Sequence, residues 1–219
     1  MRHVMYVVLG LAVMYGGLWR GGVVAARQQA DMVKTHMGHV TTSFQATPME
    51  QGLLPTAVAE AKIVAQHAAL AMKSEGNLDA MKLHAGHVIH ALDPSIEMKG
   101  PGLNFGVKRA AMGVAQHIGL AAKVEGASKN VMTHSAHVTA SAGNVVTRAD
   151  EMVGVAQQIR AATTAAEANA RLAHFNMLAQ QLYAGVDANQ DGRVGWQTGE
   201  GGLQQAETHM QLMIKGEGA

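Results

Sequence analysis

Residues 61–88, Ala-Lys-Ile-Val-Ala-Gln-His-Ala-Ala-Leu-Ala-Met-Lys-Ser-Glu-Gly-Asn-Leu-Asp-Ala-Met-Lys-Leu-His-Ala-Gly-His-Val, return fifty positions later, without a gap, as residues 111–138. Val64-Ala65-Gln66-His67 becomes Val114-Ala115-Gln116-His117, and His84 and His87-Val88 become His134 and His137-Val138. Between them Leu70-Ala71, Lys73 and Glu75-Gly76 are kept as Leu120-Ala121, Lys123 and Glu125-Gly126, while His90 is replaced by Ala140. A partial copy lies upstream over residues 31–40, where Asp31, Lys34, His36, Gly38, His39 and Val40 match Asp79, Lys82, His84, Gly86, His87 and Val88. A worn copy lies downstream over residues 154–174, with Gln158 in the place of the first histidine and His174 near the second.

Each unit reads as a helical hairpin. Ala, Leu, Met, Lys, Gln and Glu fill both arms, and the arms are separated by a glycine stop followed by an Asn or Ser start at Gly76-Asn77 and Gly126-Ala127-Ser128. Helices are predicted near 56–74, 78–92, 106–124 and 128–147, with Asp93-Pro94 and Gly100-Pro101-Gly102 between the hairpins. The fold class is therefore all-α. Two hairpins make a four-helix bundle over residues 27–183, with a helix near 27–44 and another near 148–183 on its flank.

Residues 1–26 read as a membrane anchor or a cleaved signal segment. Val4 to Trp19 carry no charge, between Arg2 and Arg20, and would span roughly 24 Å as a helix, with Val24-Ala25-Ala26 offering a cleavage site in the alternative case. The expected location is the periplasmic or extracellular side of a membrane. A net charge of +1 gives no broad basic surface, so nucleic acid is not an expected partner. The absence of cysteine removes disulfides, thiolate metal sites, iron–sulfur clusters and covalent haem.

The 219-residue chain holds 12 His and 15 Met against only 3 Phe, 3 Tyr and 2 Trp. In an antiparallel hairpin His67 and His84 flank Gly76 at nearly one height, as His117 and His134 flank Gly126. Histidines three apart, His36 with His39, His84 with His87 and His134 with His137, share a helix face. Imidazoles brought together from two arms can ligate a cofactor, and the small residues around them leave room for a flat guest. The leading expectation is a membrane-anchored electron carrier, or an accessory subunit of a membrane redox complex, that binds one or more non-covalent haem b groups. Its candidate ligands are His67, His84, His87, His117, His134 and His137, with His36, His39, His90 and His174 as further sites. The alternative is a protein that binds or stores copper, zinc or nickel with the same side chains, assisted by Met32, Met81 and Met132, each of which precedes a histidine pair. In a third reading the chain is a structural or interaction subunit and its histidines are incidental.

No phosphate-binding glycine loop, nucleophile elbow or catalytic carboxylate pair is evident, and the Glu-x-x-His signature of di-iron bundles is missing from the histidine stripes, so the reading is a carrier rather than a catalyst. Within residues 184–219, Asp187-Ala188-Asn189-Gln190-Asp191-Gly192-Arg193-Val194 resembles the EF-hand calcium loop. The resemblance covers residues 187–198 and implies side-chain ligands from Asp187, Asn189 and Asp191 and the carbonyl of Arg193, with Gly192 at the sharp turn. Thr198 stands where the family has a bidentate glutamate, with Glu200 two residues on, so the implied calcium binding is weak.

Overall fold

The computed structural model describes residues 16–218, and every regular element among them is helical. The helices are α1 (Gly16–Thr41), α2 (Leu53–Lys73), α3 (Leu78–Leu92), α4 (Val107–Lys123), α5 (Lys129–Ala161), α6 (Ala165–Ala184) and α7 (Leu203–Gly216), with one 3-10 turn at Pro48–Glu50. No helix of the described residues is long and apolar enough to cross a membrane, and most of the Val4–Trp19 run lies outside them.

The repeat shows directly in the local structure. Gly76 and Gly126 both take positive φ, 82° and 79°, a conformation that costs glycine little and turns the chain between the arms. Asn77 then caps α3 by accepting from the Ala80 amide at 3.1 Å, and Ser128 caps α5 by accepting from the Val131 amide at 3.0 Å. Buried side chains recur with helical period: Val64, Ala68 and Ala71 in α2, and Val114, Ile118 and Ala121 in α4. Many of these are alanine or valine, which lets the helices approach closely.

α5 differs from its expected length. It continues past 147 to Ala161, because nothing at 147–148 removes a backbone donor or favours a turn. The break comes at Ala162–Thr164, where Thr164 accepts from the Glu167 amide at 3.2 Å and Glu167 accepts from the Thr163 amide at 2.7 Å. The extended α5 packs against α3, α4, α6 and α7, while α1 lies mainly on α4.

Two buried polar side chains pin loops to this framework. Glu60 of α2, fully buried, accepts from the amides of Phe105 and Gly106 at 3.0 Å and so ties the 93–106 linker to the start of α4. Arg148 of α5 donates to the carbonyls of Gly199, Glu200 and Gly201 at 2.6, 2.6 and 2.7 Å, and Asn144, one turn before it, donates to the Gln197 carbonyl and accepts from the Gly199 amide. Arg148→Met leaves those carbonyls without a donor and is expected to cost about 3 kcal/mol of stability. A urea midpoint unchanged from the parent protein would contradict that role.

Candidate metal centres

Among the described residues nine histidines meet in three sets of three, and each set has the same construction. A pair three residues apart on one helix faces a single histidine on another: His36 and His39 of α1 with His117 of α4, His84 and His87 of α3 with His67 of α2, and His134 and His137 of α5 with His209 of α7. The local frame repeats as well. Apolar or small buried residues stand three before, one after and four after the first histidine of each pair, as Val33, Met37 and Val40, as Met81, Ala85 and Val88, and as Val131, Ser135 and Val138. Around the single histidines the buried positions are six before, three before, one after and four after, filled by Ala61, Val64, Ala68 and Ala71, by Ala111, Val114, Ile118 and Ala121, and by Leu203, Ala206, Met210 and Met213. These frames hold each imidazole at a seam between two helices, half-buried rather than deep in the core.

The rings approach through Nδ1. His117 Nδ1 lies 3.2 Å from Nδ1 of both His36 and His39, His67 Nδ1 lies 3.0 and 3.3 Å from those of His84 and His87, and His209 Nδ1 lies 3.1 and 3.4 Å from those of His134 and His137. A tetrahedral zinc with nitrogen ligands at 2.0–2.1 Å separates neighbouring donors by about 3.3 Å. The six separations cluster around that edge length. A neutral imidazole carries one N–H, so a Nδ1 shared by two others cannot satisfy both by hydrogen bonding. A cation placed among the three lone pairs would satisfy all of them.

The electrostatics favour the unprotonated form at seven of these imidazoles. Burial, and then the neighbouring imidazoles, push His67 down to about 4, with His87 and His84 as the neighbours, and His209 down to about 4, with His137 and His134. Burial also lowers His36, His84, His87, His117 and His137. Aromatic rings fix two of the sites from outside: Phe44 packs edge-on against His39 and His117 at 5.4 and 5.0 Å, and Trp196 stacks on His137 at 4.0 Å.

The remaining candidates lie elsewhere. His90 is buried in α3, with Nδ1 2.8 Å from the Glu97 carbonyl, and His174 of α6 pairs with Glu151 at 3.0 Å. Met81 is in the core, while Met32 and Met132 are exposed. The calcium-type loop is an exposed turn in which Asp187 accepts from the amides of Asp191 and Gly192, Asn189 accepts from the Asp191 amide, and Asp191 accepts from the Arg193 amide. Thr198 is exposed in the turn that follows, and Glu200 is buried and accepts from the Gly195 amide at 2.9 Å.

His209 was not among the expected ligands. Its clue is the spacing of apolar residues around it, with Leu212 three positions on where the repeats have Leu70 and Leu120. Little other identity surrounds it. His117 is placed with the α1 pair and not with His134, its companion across the second hairpin.

For the metal-free chain, the lowered His67 and His209 fix the sign of the acid response. Between about pH 6.5 and 4 the unfolded chain binds protons that the folded chain excludes, so stability is complete above 6.5 and declines as pH falls toward 4. Thermal melts of chelator-treated protein across that range should show the decline, and His67→Gln should flatten it; a level profile in the parent would oppose the assignment.

No family model, curated protein or solved structure matches this chain.

Proposed function

We propose that the chain is a transition-metal-binding protein that takes up to three copper or zinc ions, one in each histidine triad, for storage or delivery. The observation that carries this reading is the Nδ1 spacing of 3.0–3.4 Å, reproduced on three different helix pairs. Three neutral nitrogens at that spacing suit zinc and copper(I), which accept tetrahedral or trigonal imidazole sets, better than nickel, which favours square-planar surroundings. The donor sets consist of imidazoles alone, and the carboxylate beside the α2/α3 set, Glu97, is paired with Arg160, which favours holding an ion over hydrolytic chemistry.

The same spacing favours a bare ion over haem b. Two axial imidazoles must oppose each other across a porphyrin, with nitrogens about 4 Å apart and a macrocycle between them. The present nitrogens are closer and grouped three to a point, at seams lined by close-packed small residues. The N-terminal apolar run supports placing these sites beside a membrane on its outer side, and the Asp187–Asp191 turn supports weak calcium binding near the third site; both rest on the sequence patterns.

Metal analysis after equilibration with zinc or copper(I) is expected to find three ions per chain. His67→Ala, His117→Ala and His209→Ala should each remove one ion and leave the other two, whereas full occupancy in all three variants would refute the assignment. Trp196 supplies a separate readout: copper(II) at the third site should quench its fluorescence, and His209→Ala should abolish that quenching.

A further inference from the structure

The three triads differ in what lies beside them. At the α2/α3 site a cavity of about 270 Å³ borders His87 and contains Glu97, a carboxylate of the chain itself, held by Arg160 at 2.8 Å. At the α5/α7 site Trp196 covers His137. At the α1/α4 site a cavity of about 310 Å³ opens on His117; its walls include Phe44, Leu53, Phe105 and Arg109, and its one carboxylate, Asp93, faces Lys108. Its volume is at the lower end of the range for small-molecule sites, and it combines an apolar body with a few charged groups, as such sites do.

The charges of this cavity are unequal in their availability. Lys108 is committed to Asp150 at 2.6 Å and to Asp93 at 3.8 Å. Arg109 lies over the Phe105 ring at 4.4 Å and pairs with no carboxylate among the described residues. Phe105 thus positions a planar, permanently charged fork, suited to bidentate contact with a carboxylate, on the wall that leads to His117. Phe44, which touches both His39 and His117, forms the boundary between cavity and triad.

We infer that this cavity binds a small organic carboxylate that completes the coordination of the ion at the α1/α4 triad. Its carboxylate places one oxygen on the metal and meets the Arg109 guanidinium, while its short apolar body lies between Phe44 and Phe105. Three imidazoles leave a tetrahedral ion one open position, and their neutrality leaves its whole positive charge to be met by an anion. A fixed cation and two aromatic walls select a carboxylate with an apolar tail over water or a bare inorganic anion. The inference rests on the metal-binding reading.

The test uses the full chain loaded with cobalt(II), whose visible bands respond to ligand exchange, with benzoate as the probe and cobalt per chain counted first. With three cobalt ions bound, benzoate is expected to produce a saturable band change arising from a single site. His67→Ala should retain the change and His117→Ala should lose it. Arg109→Gln should still take three cobalt ions but weaken the benzoate response by roughly tenfold. Three bound ions with a spectrum indifferent to benzoate overturn the carboxylate site alone, as does a response that survives His117→Ala or is unaltered by Arg109→Gln. A chain that takes up neither cobalt nor zinc overturns the metal reading and this inference together, and one that takes up zinc but no cobalt overturns this inference alone.

Discussion

A ring nitrogen that faces two others at hydrogen-bond distance has at most one proton to share, and the helix packing of this protein creates that shortage three times. At each seam the backbone positions are set by apolar side chains, not by the imidazoles. Val64, Ala68 and Ala71 hold α2 against its neighbours, and Met81, Ala85 and Val88 do the same for α3, so His67, His84 and His87 are brought together irrespective of their own preferences. Burial then removes the ordinary remedy, because an imidazolium at such a seam would be both desolvated and close to its neighbours. What is left is three ring nitrogens close enough together that one metal ion could be held among them.

The hairpins, their glycine turns and the three His-x-x-His pairs were legible in the chain because they depend on local chemistry: positive φ at Gly76 and Gly126, side-chain caps at Asn77 and Ser128, and helical periodicity. The partners of those pairs were less legible. A repeat preserves the position of a residue within its helix, so His117 occupies the same frame as His67, but the helix that frame faces depends on the order of packing. His67 faces the next helix in the chain, whereas His117 faces α1, more than seventy residues earlier. His209 was obscured for a different reason. Packing constrains only the size and polarity of Leu203, Ala206, Met210 and Met213, so the frame persists after most identities have changed. α5 runs on past the end of its repeat unit because no residue at 147–148 interrupts the backbone ladder.

The polar groups that do not meet at the triads have structural duties. Glu60 gathers the amides at the start of α4, and Arg148 with Asn144 gathers the backbone that leads into α7. Both act on segments that must be correctly placed before a site can form, since His117 is on α4 and His209 is on α7. Fixing the scaffold with buried, directional contacts while leaving the histidines half-exposed separates the two roles: an ion held as proposed would enter or leave at a seam without the core opening.

α1 runs without interruption from Gly16 to Thr41, so His36 stands twenty residues along one rod, roughly 30 Å from its first turn. That rod is a spar of fixed reach between its first turn and the α1/α4 triad. An ion held between α1 and α4 as proposed would stand at a set distance from the first turn of that rod, decided by helix geometry rather than by the slack of a tether.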